Sequence, residues 1–217
     1  MAFDIAKLSW CDEIFEAAGI DKNLLSTPVP TGTSAGNITA YAAEKTGLMP
    51  ETQIVSVSHD QVAAAVGAGA FDSSVAVDGA GTVECITPIY DGIPDIDIDI
   101  MHESYFAIVP YVIPGKDVAY AFLYTGGALL QWCVNNFAKQ EKQLAKEQGI
   151  SVNAYLEKKY AETVGENTPT DLLVLPHFAG AATPYMDNDA KGAILGLNIN
   201  TSVEDIYRGC MEGVVYE

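Results

Sequence analysis

The sequence predicts an α/β protein, and three observations carry that reading. Gln53-Ile54-Val55-Ser56-Val57-Ser58 reads as a buried strand and runs directly into Gln61–Ala70, a small-residue helix with Gly67 and Gly69 inside it. Ser74–Val77 and Thr82–Ile86 flank Asp78-Gly79-Ala80-Gly81, a hairpin signal with glycine in the turn. The second half then alternates long helical stretches with a short apolar strand, the first two helices closing on glycine.

In chain order, Ser9 with Asp12 predicts a short capped helix through Ala18 that stops at Gly19. A loop rich in Pro and Thr follows at Pro28-Val29-Pro30-Thr31-Gly32. Ile38–Thr46 reads as helix, with Gly47 as its left-handed stop. Beyond the strand–helix unit and the hairpin, Asp95-Ile96-Asp97-Ile98-Asp99-Ile100 alternates strictly, which predicts a strand with one wet face or a sheet edge. Phe106–Pro110 and Val118–Tyr124 are further strands. One long helix is expected from about Ala128 to Gln148, ended by Gly149, with Leu129, Trp132, Cys133, Phe137 and Leu144 on its apolar side. Ser151–Val164 forms the next helix, closed by Gly165, and Leu172–Pro176 is a buried strand that stops at proline. Ser202 with Asp205 opens a last helix with Ile206, Cys210, Met211 and Val214 as its stripe; it meets no capping residue before Glu217.

Composition narrows the function classes. With 49% hydrophobic and 18% charged residues, the chain has enough apolar material to fold. Its 11 basic and 29 acidic side chains give a net charge of −18, which disfavours nucleic acid and anionic membranes as partners and serves solubility. Cys11, Cys85, Cys133 and Cys210 lie far apart, with no Cys-x-x-Cys pair, so free thiols are expected. The amino-terminal residues lack a signal pattern and the apolar stretches are too short to span a bilayer, so the expected location is cytoplasmic.

Three segments carry chemistry. Ser58-His59-Asp60-Gln61 sits at a strand-to-helix junction, where a carboxylate points into the crevice that open α/β sheets use for ligands. There Asp60 can take a proton from a hydroxyl, and Gln61 can both donate to and accept from another. The bland alternative makes Asp60 a helix N-cap. Asp78-Gly79-Ala80-Gly81-Thr82 combines close-approach glycines with a hydroxyl, as an anion site does, or is an ordinary hairpin turn. Gly126-Gly127 opens a helix whose free N–H groups can receive phosphate, or is helix entry without a ligand. His59, His102 and His177 are dispersed and suggest no metal triad, and the Asp95, Asp97, Asp99 face reads as solvated.

The order of these motifs resembles the FGGY family of carbohydrate kinases. The likeness rests on His59-Asp60-Gln61, Gly67-x-Gly69, Asp78-x-x-Gly81-Thr82, Gly126-Gly127-Ala128-Leu129-Leu130-Gln131-Trp132 and Pro176–Tyr185. A tail of Ala190-x-Gly192, Gly196-Leu197, Arg208 and Glu212-Gly213 completes it. The resemblance implies two domains of the actin-like, ribonuclease-H-like type, with ATP and a sugar or polyol meeting in a cleft and Mg2+ accompanying ATP. It implies Asp60 as general base, His59 and Gln61 beside the sugar, Gly81 and Thr82 on the ATP phosphates, and Gly127 and Gln131 nearby on the nucleotide. No residue of the chain is assigned as a metal ligand.

Gly180-Ala181-Ala182-Thr183-Pro184, Ala190-Lys191-Gly192 and Asp78–Thr82 depart from the usual family forms and point to a divergent subfamily, xylulokinase-like first and gluconate-kinase-like second. Members of the family are well over twice as long. The chain is therefore expected to be an internal fragment: residues 1–73 as the end of domain one, 74–217 as the start of domain two. ATP binding by the chain alone is then expected to be weak or absent. The alternative is a catalytically inactive module that binds a partner or self-associates into a homo-oligomer through exposed apolar seams.

Overall fold

The computed structural model describes residues 2–217. The chain divides into two compact units. One takes the residues through Val77, Thr87–Asp95 and Ile108–Ala119; the other takes Asp78–Ile86, Ile96–Ala107 and Tyr120–Glu217.

In the first unit β1 (Phe3–Asp4) pairs antiparallel with β2 (Ser9–Trp10), and the Trp10 ring stands edge-on between Phe3 and Phe15. Pairing with Asp4 places Ser9 in a strand, so Ser9 does not cap α1 (Asp12–Ala18) as the sequence suggested. Cys11 holds the cap position with no side-chain bond, and Asp12 and Glu13 supply the favourable first-turn charge. β3 (Ser34–Asn37) leads into α2 (Ala40–Thr46), where Thr39 accepts from the Ala42 N–H at 3.2 Å and Gly47 turns the chain at φ 74°.

β4 (Gln53–Val55) pairs antiparallel with β3 and ends three residues before the predicted Ser58. It is also not buried: Ile54 and Val55 are 48% and 45% exposed, because β3 is itself a short exposed strand and cannot cover them. α3 (Asp60–Gly67) follows, anchored by buried Val62 and Ala65. Gly69 lies outside it in a left-handed conformation, which ends the helix earlier than predicted.

Four strands, β5 (Ala76–Ala80), β6 (Glu84–Tyr90), β7 (Ala107–Pro110) and β8 (Asp117–Leu123), form a sheet in the order β5–β6–β8–β7. The β5–β6 reversal sits at Gly81–Val83, where the Gly81 N–H donates to the Val83 carbonyl at 3.0 Å, so Asp78 and Gly79 belong to the strand and not to the turn. The alternating aspartates do not make a strand. Asp97 accepts from the Asp99 N–H at 2.9 Å and caps α4 (Ile98–Glu103). An acid at a cap competes directly with a six-residue period-2 pattern, and here the cap prevails.

The predicted long helix of the second unit is two helices, α5 (Gly126–Phe137) and α6 (Lys139–Glu147). They part at Ala138, which is fully buried within the core formed by Leu129, Cys133, Val134, Leu156, Val174, Tyr207 and Cys210. No glycine or proline marks the break, and Phe137, expected on the apolar side, is 41% exposed. α7 (Val152–Thr163) forms as predicted, and Ser151, expected as its first residue, is its N-cap, accepting from the Ala154 N–H at 3.1 Å. β9 (Leu173–Leu175) pairs antiparallel with β10 (Ala193–Leu195), but only Val174 of β9 is buried.

α8 (Val203–Tyr216) opens on a reciprocal Ser202–Asp205 capping box. It packs on β9 through glycines: a Cβ on Gly213 would stand 2.5 Å from the Val174 carbonyl oxygen. Among the described residues no helix is long and apolar enough to cross a membrane. The four cysteines are free thiols.

Candidate functional site

The predicted residues fall into two groups, one in each unit. In the first unit the chain leaves β4, passes through Ser56–Ser58 and enters α3. His59 takes the N-cap position without capping through its side chain, and Asp60 is the first helical residue. This displaces the reading of Asp60 as the cap itself. With Val62 and Ala65 turned into the core, the Asp60 side chain stands 95% exposed at the positive end of the helix. Its Oδ1 accepts from the Gln61 N–H at 2.7 Å and lies 3.3 Å from His59 Nδ1. A carboxylate so exposed can accept a hydrogen bond at its second oxygen.

In the second unit Gly81 and Thr82, from the β5–β6 turn, line one cavity of about 600 Å³ with Gly127 and Gln131 of α5. All four residues named from the sequence for nucleotide binding are thus brought together. The closeness has a backbone cause. The Gly127 N–H donates to the Gly81 carbonyl at 2.7 Å and the Ala128 N–H donates to the Thr82 carbonyl at 3.0 Å. A Cβ on Gly127 would stand 2.7 Å from the Gly81 oxygen, so only glycine permits the approach. The same bonds correct the expectation of free N–H groups at the start of α5: the groups of Gly127 and Ala128 are engaged by the turn. Thr125 donates its hydroxyl to the Pro176 carbonyl, so it fixes the entry to α5 without capping it.

Sequence reasoning missed the rest of the cavity wall, Ala128, Trp132, Asn135 and Asn136. The signal was the spacing: Gly127, Gln131 and Asn135 form one ridge at intervals of four, and Ala128, Trp132 and Asn136 form the next. Beside this wall Glu84 at the start of β6 lies against Gly126, where an added Cβ would meet it at 3.2 Å. Burial, and then a hydrogen bond with Asp78, pushes the Glu84 carboxyl above its ordinary value. Among the described residues no three His, Cys, Asp or Glu side chains gather where they could hold a metal ion.

The chain shares its fold with solved sugar kinases. The chain aligns with the ligand-bound xylulose kinase from Lactobacillus acidophilus at a TM-score of 0.76 and 19% identity, over 99% of this chain and 40% of that one. Residues 1–67 match the N-terminal domain of the FGGY family of carbohydrate kinases, and residues 106–217 match its C-terminal domain. The chain belongs to that family. It is 24% identical to a xylulose kinase from Lactococcus lactis over 216 residues and 30% identical to a gluconokinase from Bacillus licheniformis over 213 residues. It spans about 40% of the length of each of these relatives.

Proposed function

We propose that the chain serves ATP-dependent phosphoryl transfer to a hydroxyl of a sugar or polyol, with Asp60 as the general base. The observation that supports this best is the exposed Asp60 carboxylate at the start of α3, inside the segment matched by the family's N-terminal domain. In this reading the substrate O–H bond breaks as its proton passes to Asp60, and the oxygen forms a bond to the γ-phosphorus of ATP. The bond from that phosphorus to the ADP oxygen breaks. Phosphoryl transfer asks the protein chiefly to position groups and neutralise charge.

His59 and Gln61 would hold neighbouring hydroxyls. Gly81 and Thr82 would meet the ATP phosphates, Thr82 through its side chain, with Gly127 and Gln131 nearby on the nucleotide. Mg2+ would enter on the nucleotide. Residues 1–73 then belong to the sugar side and 74–217 to the nucleotide side. Xylulose is the leading substrate and gluconate the next; relatives named for xylulose, gluconate and glycerol all match nearly the whole chain, so glycerol is tested beside them.

The test is phosphoryl transfer from ATP to xylulose, gluconate and glycerol, with the 217-residue chain and, where coding sequence flanks it, with the extended chain. Asp60→Asn is expected to lower turnover by about 10²–10⁴-fold, the usual worth of a positioned base, while leaving the far-UV spectrum unchanged. Near-normal turnover in an active preparation rejects the role.

A second reading, a self-associating module without catalysis, is favoured by the exposed apolar residues of and after β4, where Val57 is 84% exposed. Light scattering that shows a monomer at all concentrations rejects it.

A further inference from the structure

Every side chain that lines the 600 Å³ cavity of the second unit is uncharged. The N–H groups of Gly127 and Ala128 are engaged by the turn. The chain as a whole carries −18. A polyphosphate would therefore enter a neutral cavity in a repulsive field, and it requires a cation that the lining does not supply.

The structure brings one to the rim. Lys142 of α6 donates its ammonium to Asn135 Oδ1 at 2.8 Å, and the same oxygen accepts from Gln131 Nε2 at 2.9 Å. The atom assignments are fixed by chemistry. An ammonium only donates, so the Asn135 atom facing it is oxygen, and the Gln131 atom that shares this oxygen is nitrogen. Asn135 and Gln131 both line the cavity. The parting of α5 and α6 at buried Ala138 sets the direction from which Lys142 reaches back to Asn135.

We propose that Lys142 is the phosphate-binding cation of this site and that Asn135 is its positioning residue, holding the ammonium at the rim and fixing the Gln131 carboxamide. The inference rests on the reading of this cavity as the nucleotide-phosphate site. It adds to that reading two residues that no motif marks.

The probe is inorganic tripolyphosphate, titrated calorimetrically into the 217-residue chain at low salt, with the side-chain amide resonances of Gln131 and Asn135 followed by NMR. Lys142→Ala is expected to weaken binding about fivefold, the factor that one charge at contact distance gives in water. Lys142→Arg should restore most of it. Asn135→Ala should weaken binding by a similar factor, and the double variant should fall well short of the product of the two losses, because both remove one arrangement. Lys146→Ala, one turn further along α6, should leave affinity within about twofold despite the same change in net charge.

A merely structural clasp between the two helices would instead lower thermal stability and leave the affinity unchanged. That result overturns the inference while the phosphate reading stands. Equal losses for Lys142→Ala and Lys146→Ala also overturn it, because the effect is then only net charge. A wild-type chain that shows neither heat nor amide shifts overturns the inference and the phosphate reading of the cavity together, and leaves the Asp60 assay as a separate question.

Discussion

Replacing Gly127 with alanine places a methyl group 2.7 Å from the Gly81 carbonyl oxygen, closer than a real Cβ comes to backbone. The turn and the start of α5 must separate. Separation breaks the 2.7 Å bond from Gly127 and strains the 3.0 Å bond from Ala128. Each such bond is worth about 1 kcal/mol net, and forced overpacking costs about 1–3 kcal/mol. Alanine returns up to about 1 kcal/mol of helix propensity, which leaves a net loss of roughly 2–3 kcal/mol. Urea unfolding followed by fluorescence reads it, since Trp132 lines the affected cavity. Tripolyphosphate binding should fall in the same variant. Gly67→Ala in α3 is the control: its Cβ meets nothing within 4 Å, so it should be neutral or stabilise by about 0.4–1 kcal/mol. A Gly127→Ala chain with an unchanged urea midpoint and unchanged binding would refute the claim that backbone contact builds this site.

Three further outcomes are expected. The folded chain binds the Glu84 proton more tightly than the unfolded chain does, so this group's contribution to stability is full below pH 4.5 and is lost as pH rises through the folded value. Glu84→Gln should therefore be more stable than wild type at pH 7, with the advantage shrinking as denaturation curves are taken down towards pH 4.5. Ser202→Ala removes one half of the α8 capping box and should cost about 1 kcal/mol in urea unfolding; an unchanged midpoint would deny the box any energetic role. Cys133 and Cys210 are fully buried, so an aromatic disulfide reagent should label half-buried Cys11 quickly and those two only at the rate at which the second unit opens.

The parts of the fold that local chemistry decides were legible in the sequence. Ser202 caps a helix because a side-chain oxygen within three residues satisfies the first free N–H groups, and Gly47 ends one because only a neighbour's geometry is involved. What escaped was non-local. Ala138 breaks a helix with no breaker of its own, because burial against α7, α8 and β9 outweighs the continuation of one helix. The exposure of Ile54 and Val55 depends on what lies over a strand, which a six-residue segment cannot reveal. Asp97 was read as one wet face of a strand, when the same carboxylate also serves as a helix cap.

The candidate site shows the same division and reverses one of its arguments. The glycines at 126 and 127 read as a helix start open to phosphate, but Gly127 approaches a carbonyl of the turn and Gly126 lies against Glu84. From sequence the two cases look alike, because each asks for a residue without a side chain at a helix start. Once those N–H groups are engaged, a phosphate can be held only by side chains: the Thr82 hydroxyl, the Gln131 and Asn135 amides, and a cation brought from the next helix. Polar residues in the middle of an exposed helix face resemble any solvated face, so Asn135 and Lys142 acquire meaning only through the bond between them. If that bond does not set phosphate affinity, only the neutral donors of the cavity are left to hold an anion against a charge of −18.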